Sequence, residues 1–126
     1  MSGFTVYFVN HVLEHCLGGV LWTPPTDVYL KLHKDDPGPD GSANASVVTT
    51  RKRVSFSSAS GGAITVTNDI SWTMASPESI GWLSGWDSLS AGNCLFTVKL
   101  EASKNLFSGD TANLPAGLTL RLSAGA

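Results

Sequence analysis

Two prolines followed by a run of strict alternation limit how the first half of this chain can fold. In Trp22-Thr23-Pro24-Pro25 each proline fixes its φ and offers no N–H, so a helix or a central strand cannot pass through. Asp27-Val28-Tyr29-Leu30-Lys31-Leu32-His33 then places Val28, Leu30 and Leu32 on one side and Tyr29, Lys31 and His33 on the other. That is the period of a strand with one buried face. The run stops at Asp36-Pro37-Gly38-Pro39-Asp40-Gly41, where prolines and glycines demand a turn or an exposed loop.

Before this unit, Thr5, Phe8, Val9, Val12, Leu13 and Cys16 fall at helical spacing, with Asn10, His11 and Glu14 turned away. An amphipathic helix from about Gly3 to Leu17 is expected, with Ser2 as N-cap and Gly18-Gly19 as its left-handed stop. After it, Ser42 to Thr50 is small and polar and reads as loop, with at most a weak edge strand. Shorter alternating runs follow at Arg53–Ser57, Ala63–Thr67 and Ile70–Met74, separated by Ser60-Gly61-Gly62 and Asn68-Asp69.

Ser79 to Asp87 is different. Ile80, Trp82 and Trp86 share one parity, while Gly81 and Gly85 share the other with Leu83. Bulk on one side and bare backbone on the other predicts a strand against which something packs closely. Cys94–Leu100 is apolar at nearly every position at its start and reads as a central strand covered on both faces. Leu118–Leu122 alternates and closes the fold. Seven or eight strands at turn spacing imply a mainly β fold: an antiparallel β-sandwich or jelly-roll-like domain with one N-terminal α-helix. The 126 residues suit one domain, residues 1–126, with the helix at about 3–17 and the β-body at about 22–123. No heptad series or solenoid period is present.

The formal charge of −2 gives no broad field for nucleic acid or anionic membrane. Apolar runs fall far short of the roughly 20 residues that span a bilayer, and no secretory signal is visible. Cys16 and Cys94 lack any pairing motif and read as reduced, buried thiols of a chain made in the cytoplasm. Asn44-Ala45-Ser46 matches a glycosylation sequon, which has little meaning without export.

Three motifs invite chemistry. His11-Val12-Leu13-Glu14-His15 has the H-x-x-E-H spacing of one zinc-peptidase class. Catalytic zinc needs a third protein ligand and a cleft, and His33 is the only other imidazole, so an exposed polar helix face is the expectation. Asp35, Asp36 and Asp40 lack the ligand spacing and closing Glu of a calcium loop, which favours an Asx-type turn. No serine lies in a G-x-S-x-G elbow, and no glycine-rich segment matches a phosphate or dinucleotide loop. The expectation is no enzyme: no catalytic residue, no cofactor and no metal.

Contact residues are the remaining candidates. Arg51-Lys52-Arg53 is the only concentrated charge and is too short, without interleaved aromatics, for a nucleic-acid groove. It is a solvated strand start or a salt-bridging patch for a protein partner. Trp72 reads as core. Trp22, Trp82 and Trp86 neighbour glycines, prolines or loop ends, where large rings anchor interfaces; a platform for carbohydrate would look the same. With Phe4 and Tyr7 on the N-terminal segment, the candidate interface is Phe4, Tyr7, Trp22, Arg51, Lys52, Arg53, Trp82 and Trp86.

The order of small features runs through the chain: Gly18-Gly19, Thr23-Pro24, Leu32-His33, Asp36-Pro37-Gly38, Asp40-Gly41, Arg53-Val54-Ser55-Phe56 and Ala59-Ser60-Gly61. It continues with Ile70-Ser71-Trp72, Gly85-Trp86-Asp87, Gly92-Asn93, Ser103-Lys104, Gly109-Asp110 and Gly117-Leu118. In this order the chain resembles a family of small bacteriophage virion proteins, labelled phage tail fibre or minor tail proteins. The resemblance implies a structural role in the virion, with no catalytic residues to carry over. The absence of a fibrous segment favours a capsid decoration or minor capsid protein bound to the major capsid protein. A minor tail, fibre or baseplate accessory bound to tail proteins is the alternative, and a carbohydrate-binding module a further one. A homo-oligomer such as a trimer is expected, since symmetric multivalent attachment lets modest contacts hold firmly.

Overall fold

The alternation of the Pro-bounded run becomes a strand at the heart of the fold. In the computed structural model, which describes residues 3–122, ten elements follow in order. They are β1 (Gly3–Phe4), α1 (Val6–Cys16), β2 (Val28–His33), β3 (Lys52–Val54), β4 (Ala63–Thr65), β5 (Ile70–Thr73), β6 (Glu78–Trp86), β7 (Cys94–Leu106), β8 (Thr111–Leu114) and β9 (Thr119–Arg121). Five of them form one antiparallel sheet in the order β1-β7-β6-β2-β3, while β4 pairs with β9 and β5 with β8. The fold is therefore mainly β and antiparallel with one helix near the N-terminus, as its patterning implies.

The two ribbons cover one face of the sheet, and the core lies between the layers. Leu30, Leu32, Ile80, Leu83 and Phe96 from the sheet meet Ile70, Trp72 and Ala112 from the β5–β8 ribbon. This is the sandwich arrangement in which each sheet buries its apolar parity. Trp72 is core as expected, and its indole N–H donates to the Thr50 carbonyl at 2.8 Å.

Three details depart from simple alternation. His33, on the polar parity of β2, is fully buried, because the loop after β2 folds back over that face. In β6 an irregularity between Ile80 and Trp82 resets the register, so Ile80 joins Leu83 in the core instead of siding with Trp82 and Trp86. β7 continues well beyond Leu100: Cys94 to Thr97 are buried, as a central strand should be, but Lys99 and the residues 101–105 are exposed.

The helix is shorter and less buried than its apolar spacing suggests. Gly3 and Phe4 pair with Thr97 and Phe96, so the helix cannot begin before that bridge ends. Thr5 is its N-cap, accepting from the Phe8 N–H at 3.2 Å while its hydroxyl donates to the Cys94 carbonyl at 2.7 Å. Ser2 lies outside the described residues. The stop is as expected: Gly19 takes φ +73°, and the Val20 N–H reaches the Glu14 carbonyl at 3.0 Å. No residue of α1 is fully buried, and Cys16, expected inside, is exposed. Among the described residues, no helix is long and apolar enough to cross a membrane.

Candidate functional site

The sheet face opposite the core carries Trp82 and Trp86 and, with them, Arg51 and Arg53. Strand register aligns Tyr29 with Trp86, Lys31 with Ser84 and His33 with Trp82, and next to them Trp82 with Lys99. Part of this face is roofed by the first half of the loop after β2, where the Ala43 carbonyl meets His33 and Gly41 lies against Trp86 and Cys94. Beneath the roof, Ser84 Oγ lies 2.7 Å from both His33 Nε2 and Trp86 Nε1, and His33 Nδ1 is 2.8 Å from the Ala43 carbonyl. Burial drives the His33 pKa below the ordinary imidazole value. Sequence patterning missed this cluster, because nothing in the β2 alternation marks a roof over its polar side.

A serine hydroxyl beside an imidazole has the spacing of a nucleophile and its base. Here the geometry serves structure. The serine oxygen is occupied by the indole N–H, the far imidazole nitrogen meets a main-chain carbonyl and not a carboxylate, and neither side chain has exposed surface.

Trp86 sits at the edge of the roof and is only 8 % exposed, less than its sequence setting suggests. The Arg51 guanidinium lies 4.1 Å from its ring centroid and donates to the carbonyls of Ser88 and Ala91 at 2.8 and 2.6 Å. Arg51 thus ties the turn after β6 to the sheet. Arg53 Nε donates to Asp27 Oδ1 at 2.8 Å across an exposed edge, and Lys52 stands opposite Leu30 on edge strand β3. Trp82 is half-buried.

Phe4, Tyr7 and Trp22 gather elsewhere, in one aromatic cluster. Phe4 stacks on Phe8 with centroids 4.9 Å apart, Phe8 meets the Trp22 edge at 6.0 Å, and His11 lies between Trp22 and Tyr7 at 5.1 and 4.3 Å. Through the Phe4 contact with Phe96 this cluster fastens the helix to β7. It also uses the H-x-x-E-H imidazoles: His11 Nδ1 donates to the Tyr7 carbonyl, and His15 Nδ1 accepts from the Trp22 N–H. Asp35, Asp36 and Asp40 each cap a nearby N–H, those of Asp36, Gly38 and Ser42, which is the Asx-type turn expected of them. The Ser42 hydroxyl also donates to Asp40 at 2.6 Å and holds that carboxyl below its usual range.

A groove of about 510 Å3 runs between the sheet and the β5–β8 ribbon, lined by Leu32, Trp72, Ile80, Leu100, Leu106 and Leu114 among others. Seven of the eight candidate contacts fall in two groups, the aromatic cluster at the helix and the sheet face around Trp82 and Trp86, while Lys52 lies on the other parity of β3, in register with Leu30.

No curated protein matches this sequence. A family model does, over residues 3–121, and its description is podophage GP4 fiber I protein gp80. With nearly the whole chain inside that match, the protein belongs to this Gp80 family of phage fibre proteins, structural components of the virion.

Proposed function

We propose that the chain is a structural module of the fibre apparatus on the tail side of a podophage virion, holding its neighbours by surface contact and transforming no substrate. The observation that carries this reading is the family match, which spans both layers of the sandwich and the helix. The sealed Ser84–His33 pair supports the non-catalytic part, since a nucleophile without solvent access meets no substrate. The absence of a fibrous segment argued for decoration of the head; the fibre description favours the accessory alternative. Of the candidate contacts, Lys52, Arg53 and half-buried Trp82 are available to tail partners. Arg51, Trp86, Phe4, Tyr7 and Trp22 act behind them by fixing the surfaces.

The test is gold-labelled antibody against this chain on intact particles and on purified tails. Label at the tail is expected, together with loss of fibre density from particles lacking the protein. Label distributed over the head shell would overturn the reading in favour of capsid decoration.

A further inference from the structure

Among the described residues β8 pairs with β5 alone, so its other edge has no strand beside it. One bond at the ribbon's end sets the phase of the ladder: the Met74 N–H donates to the Asp110 carbonyl at 2.8 Å. Along an antiparallel pair, residues alternate between bonding across the ladder and facing away from it. Ala112 and Leu114, in phase with Asp110, therefore bond to β5, while Thr111 and Asn113 direct their N–H and C=O groups to the free side. Pro115 comes next on that side and has no N–H, which ends the edge. The edge opens into the groove of about 510 Å3 between the ribbon and the large sheet. Every residue from Thr111 to Pro115 lines it, both parities together, as happens where a strand presents its main chain and not one of its faces. The opposite wall is β7 beyond Lys99, where the register with β6 jumps from Trp82–Lys99 to Ile80–Lys104 and leaves Leu100 to Ser103 outside the ladder.

We infer that this groove is a slot for one extended segment of a partner protein, which adds to β8 as a further strand. Main-chain donors and acceptors repeating at the strand period are matched by the main chain of another strand; an apolar small molecule would leave them unmet. The walls then choose the side chains. Ile80, Leu100, Leu106 and Leu114 suit apolar residues at every second position of the segment, and Glu101 with Lys104 leaves the lining without net charge, so no charged motif is called for. Position argues against a second copy as the occupant. The edge lies inside a groove and not on an open rim, so a folded domain cannot bring one of its own strands alongside, whereas a detached segment can enter. Such a segment gains affinity from main-chain bonds and specificity from alternate side chains, the division of labour of strand addition.

The inference concerns how a neighbour is held and stands apart from the fibre reading, which antibody labelling decides separately. The probe is a capped peptide of alternating valine and threonine with lysine at both ends, added at millimolar concentration to the isotope-labelled full chain. Amide hydrogen exchange at Thr111 and Asn113 should slow by about tenfold or more at saturation, while Ala112 and Leu114, already bonded to β5, change little. The same peptide N-methylated at every residue keeps its side chains but has no donors, and it should not bind. Asn113→Pro removes an N–H that faces away from β5, a position where an edge strand tolerates proline. It should weaken peptide binding by about tenfold or more, with the far-ultraviolet spectrum and urea midpoint of the wild type. Should that variant disturb the fold, the methylated peptide tests the same bonds. A wild-type chain that ignores the peptide, equal binding of the methylated form or by folded Asn113→Pro, or slowing confined to Ala112 and Leu114 would each overturn the proposal. Slow exchange at Thr111 and Asn113 that arises on concentrating the chain without peptide would give the edge to a second copy, and would overturn it too.

Discussion

Ser84 donates its hydroxyl proton to His33 Nε2 across 2.7 Å, an orientation set by the groups on either side. The Trp86 indole can only donate, so the serine oxygen accepts from it; the Ala43 carbonyl can only accept, so His33 carries its proton on Nδ1. The direction of all three hydrogen bonds is thereby fixed. Ser84→Ala leaves an indole N–H and an imidazole nitrogen without partners, at about 1–3 kcal/mol each. A fall in stability of about 2–4 kcal/mol is expected from urea unfolding, with an unchanged denaturant slope. A loss within about 0.5 kcal/mol, the range of an ordinary surface substitution, would contradict the network.

The same imidazole makes stability depend on pH. Its pKa is lowered chiefly by burial, with nearby Lys31 adding to the effect and the Ala43 hydrogen bond opposing it. The unfolded chain, with a histidine near the ordinary 6.5, therefore binds a proton first as pH falls. His33's contribution is complete above about pH 7 and declines as pH drops through 6.5 toward the folded value. Asp40, also depressed, gives way only in the separate acid window below about pH 4. Stability of the wild type should thus slope downward between about pH 7 and 5, and the slope should flatten in His33→Gln. Equal slopes in both proteins would show that other groups govern this window.

Gly85 and Phe96 face each other across β6 and β7, and a Cβ at Gly85 would stand 2.2 Å from the end of the Phe96 ring. The far end of the ring fills the space that a side chain at residue 85 would need. Gly85→Ala should destabilise by about 1–3 kcal/mol or more through overpacking. In the double variant with Phe96→Leu the two losses should fall short of additive, because the shorter side chain vacates the space. Full additivity by denaturant unfolding would mean that the glycine matters for its backbone alone.

That contact was legible in the bare sequence: glycines alternating with bulk in Ser79–Asp87 implied close approach, and Phe96 supplies it. The alternations of β2 and β5 likewise named Leu30, Leu32, Ile70 and Trp72 as core. Periodicity failed where one element modified another. The irregularity after Ile80 reversed a parity, a two-residue bridge at Gly3–Phe4 delayed the helix to Val6, and the loop over β2 buried His33. Those are tertiary events with no local signal. The basic run does open strand β3, but only the structure shows Arg51 turned onto Trp86 while Arg53 pairs with Asp27.

The two cysteines should differ sharply in reactivity. Cys94 is buried with its pKa pushed up to about 11, mainly by desolvation, whereas Cys16 is exposed on the helix. Thiolate is the reactive species, so at pH 8 an aromatic disulfide reagent should titrate one thiol in dilute native protein and two after denaturation. Loss of the fast native reaction in Cys16→Ser identifies the site. Fast reaction of both thiols without denaturant would show that the cover over Cys94 opens readily.

Arg51 combines three interactions that lysine cannot reproduce together. Its planar guanidinium lies over Trp86 while one nitrogen bridges two carbonyls of the 88–91 turn, and an ammonium on a flexible stem lacks that fork and flat face. Stacking contributes about 0.5–2 kcal/mol, and hydrogen bonds from a charged donor about 1.5–3 kcal/mol each when well shielded. Arg51 is partly exposed, so the lower ends apply. Arg51→Ala should therefore cost about 1–3 kcal/mol in urea unfolding and shift tryptophan emission to the red as Trp86 gains water. Arg51→Lys should recover less than half of that loss despite keeping the charge. Full recovery by lysine would reduce the role of Arg51 to its charge, and the turn after β6 would then depend on its own bonds, such as Asp87 Oδ1 to the Asn93 N–H at 2.8 Å.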